Sequence, residues 1–167
     1  MTLLEQFGLF IASFPEKLSA PDEHAARRAL LDWQAALIAG SDSAVAEKLI
    51  ASYATDLGYG PCSVAGSSSA AGLRVAAYLN GTISHIAEFD DIYRNGAYHP
   101  AAPTISAVFS LAQARGLSLP SLLRAITLGY EVSTRIAEVI QPSHYQFYHT
   151  TGTVGVFGAA AACAALL

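Results

Sequence analysis

Glu88, Asp90 and Asp91 fall within four consecutive positions of a chain that otherwise carries few charges, and His85 and His99 bracket them in the stretch HIAEFDDIYRNGAYHP. Carboxylates and imidazoles grouped in this way support three chemistries. With His99, the acids offer the donors of a divalent-cation site, although their spacing matches no standard calcium-binding loop. The same groups suit proton transfer or substrate orientation in a cleft. They also suit a plain polar loop whose acids pair with Arg94 and cap backbone amides. The acids follow a helical run, where the macrodipole disfavours anions, so the preceding helix gives no reason for their position.

A second segment, SHYQFYHTT, carries two histidines, and His149 stands just before TTGTVG, where a helix start is expected. Free backbone N–H groups at a helix start attract anions. Thr150, Thr151 and Thr153 add hydroxyls there. Thr151, Gly152 and Thr153 are therefore candidate contacts for an anion, with Arg94 as a candidate cation. A histidine beside such a site can act as a general acid or base near neutral pH; a capped helix with a structural histidine is the plainer alternative. The glycines at 152, 155 and 158 follow no predicted strand, so close helix packing explains them better than a phosphate-binding loop.

Helices must position these segments. Residues 3–14 read as a short apolar helix stopped near Pro15. Ser19 and Asp22 have capping-box spacing, Pro21 sits in the first turn and Gly40 closes a second helix. A third is predicted from about Asp42 to Leu57, followed by a short extended piece and loop in CSVAGSSS. Serines 67–69 are expected to cap a helix over about 70–87. Residues 88–99 read as an irregular loop with Asn95-Gly96 as turn former. Further helices are predicted over about 101–114, from Ser118 to Pro142, and from about Gly152 onward. The expectation is a single all-α domain, a helical bundle, over residues 1–167.

Composition narrows the function. The 167 residues are 53% hydrophobic and 13% charged, against a usual charged fraction of about 25%. So apolar a chain implies a membrane protein, a subunit with a large buried interface, or part of a larger protein. A spanning helix needs about 20 apolar residues, and the best run, Gly152–Leu167, falls short. A net charge of −4, with nine scattered lysines and arginines, offers no basic stripe to nucleic acid. The N-terminus lacks the features of a signal peptide. Cys62 and Cys163 have no metal or redox spacing and read as buried thiols of a reducing cytoplasm. The uncapped apolar run GTVGVFGAAAACAALL suggests the N-terminal part of a longer polypeptide.

YLNGTISHIAEFDD followed by HP, then GYEVSTRI, then HTTGTVGVFGAAAACAALL, resembles the MmgE/PrpD family, with these motifs in the same order and at similar separations. The resemblance covers nearly the whole chain and is strongest over residues 76–167. It implies a lyase acting on a small di- or tricarboxylate, most simply a 2-methylcitrate dehydratase-like enzyme, with decarboxylation and epimerisation also known in the family. It implies no cofactor and no metal, and a homodimer or other homo-oligomer. It places His149, His99, Asp90 and Asp91 in the catalytic pocket, with Glu88 where the family often has aspartate and Ile92 where it often has threonine. It also puts the family's active-site lysines outside residues 1–167. On that ground residues 1–167 alone are expected to be inactive. A non-catalytic helical assembly subunit and a metal-dependent hydrolase using the acids and His99 are the readings from other classes.

Overall fold

Ser19, Ser43 and Ser118 each accept a hydrogen bond from a backbone N–H three residues on, and each starts a helix. In this computed structural model, which describes residues 1–167, the helices are α1 (Leu3–Ala12), α2 (Ala20–Ser41), α3 (Ala44–Ser52), α4 (Leu73–Ser84), α5 (Ala101–Arg115), α6 (Leu119–Ile140) and α7 (Thr150–Ala164). One extended segment, β1 (Leu57–Cys62), meets the chain again only at isolated bridges to Ala71, so no sheet forms. The fold is all-α, as expected.

Two local expectations are corrected. The third helix stops at Ser52, not near Leu57, and the extended piece precedes CSVAGSSS instead of lying within it. Gly58 and Gly60 adopt φ of +87° and +115°, which no helix accommodates, and Pro61 has no N–H to donate. Serines 67–69 do not cap α4. The Ser67 hydroxyl accepts from the Ser69 N–H at 3.0 Å and closes its own turn; α4 begins after Gly72 with no side-chain cap.

Helix α5 is packed by α2, α4, α6 and α7. Its buried residues, among them Ala101, Ala102, Thr104, Ile105, Ser106 and Val108, are mostly small and lie on more than one face, so its neighbours approach closely. Trp33 of α2 is fully buried and donates its indole N–H to Ser106 Oγ at 3.1 Å. Where α6 crosses α7, a Cβ on Gly129 would lie 2.6 Å from Thr104 Cγ2, and one on Gly158 would lie 2.7 Å from Ser133 Oγ. Gly155 is equally confined by Pro103, whereas Gly152 faces open space. Close packing therefore accounts for two of the three α7 glycines.

The α7 run has partners within the chain: it buries Val154, Ala161 and Ala162 against α5 and α6, and leaves Val156 and Phe157 exposed. Helix α1 lies outermost, packing Phe7, Phe10, Ile11 and Phe14 over Leu128, Val132 and Ala161. Arg124 of α6 fastens it by donating to the carbonyls of Phe14 and Pro15, each at 2.8 Å. No helix is long and apolar enough to cross a membrane.

Candidate functional site

Helix α4 runs out at His85 and α5 starts at Ala101; α6 runs out at Ile140 and α7 starts at Thr150. Because α5 packs on both α4 and α7, the connections 85–100 and 141–149 meet at one end of the bundle. Hydrogen bonds fasten them. The His99 N–H donates to Thr151 Oγ1 at 3.1 Å, and Gln141 Nε2 donates to Gly96 O at 3.1 Å and to Thr150 Oγ1 at 2.8 Å. Tyr93 donates its hydroxyl to Glu138 at 3.1 Å.

Asp90 is 4% exposed. Its carboxylate lies 2.9 and 3.1 Å from His85 Nδ1 through its two oxygens. A carboxylate only accepts, so His85 Nδ1 carries the proton. His99 Nδ1 is 3.6 Å from Asp90 Oδ2 and has no hydrogen-bond partner. The two imidazole rings lie 4.7 Å apart, centroid to centroid. The donor atoms of His85, Asp90 and His99 all lie within 4.8 Å of one another, as in a cation site. Yet tetrahedral ligands about 2.0–2.1 Å from zinc stand about 3.3 Å apart. The 2.9 Å separation of His85 and Asp90 is that of a hydrogen-bonded group.

A cleft of about 510 Å3 opens over this group, lined by His85, Glu88, Asp90, His99, Tyr145 and His149, with Phe89 and Ile92 as its apolar wall. The structure thus brings Asp90, His99, His149 and Glu88 together from the two connections. Glu88 sits at φ +50°, in the left-handed region that non-glycine residues adopt at a cost of about 1–3 kcal/mol, typically at functional sites. His149 occupies the N-cap position of α7 without capping it by its side chain.

Asp91 does not line this cleft. Its carboxylate turns inward, accepting from the Ala101 N–H at 3.0 Å and from the Tyr130 hydroxyl at 2.7 Å. Burial pushes its pKa up, and the nearby carboxylates of Asp90 and Asp32 add to this, while the two hydrogen bonds oppose it. Burial likewise holds Tyr130 well above the usual phenol value, and Tyr98, which donates to Ser133 at 2.7 Å, is pushed up to about 12. Both tyrosines are neutral supports at physiological pH.

The remaining candidates are dispersed. Thr151 and Gly152 line a neighbouring, mostly apolar cavity of about 770 Å3 that shares His85 with the cleft. Thr153 Oγ1 lies 2.7 Å from His144 Nε2 and faces neither cavity. Arg94 is exposed on a turn at Arg94–Gly96 and lines neither. Neither cavity is lined by a lysine or arginine. His85 and Tyr145 line the cleft although neither is among the residues predicted for the site. The signal for His85 was its place just before the acids; nothing in the spacing singled out Tyr145.

No curated protein matches the chain. Residues 6–167 match the MmgE/PrpD N-terminal domain, in an all-helical fold whose two facing connections carry the histidines and acids of the quoted motifs. The chain belongs to the MmgE/PrpD family.

Proposed function

We propose that this domain carries the proton-handling part of a lyase site for a small di- or tricarboxylate, in the manner of 2-methylcitrate dehydration. The supporting observation is one cleft lined by a buried, histidine-bonded Asp90 together with His99 and His149. Dehydration breaks a C–H bond beside a carboxylate and a C–O bond on the next carbon. The C–H electron pair becomes the double bond, and the hydroxyl leaves as water once protonated. A base and an acid on separate supports serve this well. His99 and His149 are the proton carriers in this reading. Asp90 pairs with His85 beside His99, Asp91 holds the loop, and Glu88 faces the leaving group. Thr151 and Gly152 at the start of α7 are the proposed carboxylate contacts; Thr153 and Arg94, which line neither cavity, are not among them. Decarboxylation or epimerisation would use the same groups.

Titrating 2-methylcitrate into histidine-labelled protein should shift the ring signals of His99 and His149 together and saturably, while a neutral triester should not. His149→Ala should weaken binding at least about tenfold, the scale of one lost charge-assisted hydrogen bond. Ring signals unmoved by millimolar tricarboxylate would sink the reading. The absence of any lysine or arginine from the lining favours a second reading, a helical assembly subunit.

We also propose a second copy of the chain as partner, since Tyr78 and Val156 expose apolar surface at the larger cavity and Phe157 is exposed next to Val156 on α7. Light scattering should show a dimer or larger species; a monodisperse monomer would count against it.

A further inference from the structure

We infer that His85 is a positioning residue: it holds the Asp90 carboxylate away from His99, leaving His99 the freer imidazole in the cleft. One carboxylate stands between two histidines whose rings are 4.7 Å apart. His85 engages both of its oxygens, at 2.9 and 3.1 Å. His99 Nδ1, buried and without a partner, is left at 3.6 Å from the nearer oxygen. A shift of a few tenths of an ångström would give His99 the bond that His85 now has, so the two rings compete for one acceptor.

Both rings have fixed supports. The His85 backbone N–H closes the last turn of α4 through the carbonyls of Thr82 and Ile83, and the His99 N–H is held by Thr151. Asp90 is the shared element between them. The other titratable groups around it are Glu88, Tyr145 and His149 across the cleft, and Asp91 with its partner Tyr130 behind it. No lysine or arginine lines the cleft to compete for the carboxylate. An imidazole with an adjacent carboxylate as hydrogen-bond partner is a stronger base than one without. His85 therefore decides whether His99 has the Asp90 carboxylate as its partner.

This role gains its meaning if the cleft is the working site, but its test needs no substrate, so a failed lyase reading leaves it standing or falling alone. In nitrogen-15 histidine spectra of the native chain, the low-field Nδ1 proton bonded to a carboxylate should belong to His85 and not to His99. His85→Phe keeps a planar ring and removes the donor. The low-field proton should then appear on His99. His85→Asn, whose amide nitrogen replaces Nδ1, should restore native behaviour at His99. A purely structural His85 would not give this pattern of loss and rescue. A low-field proton already on His99 in the native chain would overturn the inference even where His85→Phe fails to fold. So would a folded His85→Phe in which no low-field proton appears on His99, or one bound zinc ion per native chain holding all three side chains.

Discussion

Asp91→Ala is expected to lower the unfolding free energy by about 2–5 kcal/mol. Two donors lose their acceptor at once, the Ala101 N–H at the first turn of α5 and the Tyr130 hydroxyl on α6, and each orphaned buried donor costs about 1–3 kcal/mol. Removing a buried charge returns part of that, and a water admitted by the smaller side chain would return more. Asp91→Asn keeps an acceptor for Ala101 and should cost clearly less. The two variants also separate the charge from the hydrogen bonds. Because the folded state raises the Asp91 pKa above its ordinary 3.8, the folded chain binds the proton more tightly than the unfolded one. Its contribution is fully present below 3.8 and is lost as pH rises through the folded value. The native chain should therefore lose stability relative to Asp91→Asn as pH rises from about 4 toward neutrality. Urea unfolding across that range reads both effects. An Asp91→Ala midpoint equal to the native one would show that Asp91 does not bracket α5 and α6, and a native-minus-Asn difference that grows with pH would show that its hydrogen bonds outweigh its burial.

The same bracket explains why acids gather at the end of α4, where the macrodipole disfavours them. Asp91 serves the next helix: it reaches across the loop to the N-terminus of α5, where an anion is favoured. Asp90 is buried against His85. Only Glu88 remains on the rim. A list of residues along the sequence cannot separate these fates, because adjacent side chains on irregular backbone point to opposite sides, and the path of residues 88–92 decides which acid faces the cleft. What was legible was local. Ser19, Ser118 and Gly116 mark helix ends by their own chemistry, and Gly116 does adopt φ of +62° after α5. The serines at 67–69 have the same composition but spend their hydroxyls on a turn, so cap chemistry misleads where a tighter local bond is available. The meeting of His99 and His149 was legible through the motifs of the family resemblance, which put both in one pocket. The His85–Asp90 bond was not, since its geometry depends on how the loop returns under the helix end.

Residues 1–167 alone are expected to show no measurable turnover of 2-methylcitrate or cis-aconitate. The proton carriers are in place, but a polycarboxylate also brings two or three negative charges into the cleft, and the transition state adds charge beside one of them. Neither cavity is lined by a lysine or arginine, Arg94 stands off both, and Thr151 already accepts the His99 N–H. The remaining positive charge is whatever the three histidines carry, and a protonated His99 or His149 is no longer a base. Loss of a single preorganised donor to a developing charge costs about 100- to 1,000-fold in rate, so two unpartnered carboxylates remove about 10,000-fold or more. Groups other than those lining the two cavities would have to supply this charge. Assays for the enoic acid from 2-methylcitrate and for decarboxylation of cis-aconitate read the outcome directly, with His149→Ala as the control for a contaminating enzyme. Turnover that persists through purification and disappears in His149→Ala would mean that helix-start N–H groups and histidines suffice to bind and polarise the substrate, and the need for lysine or arginine charge would fall.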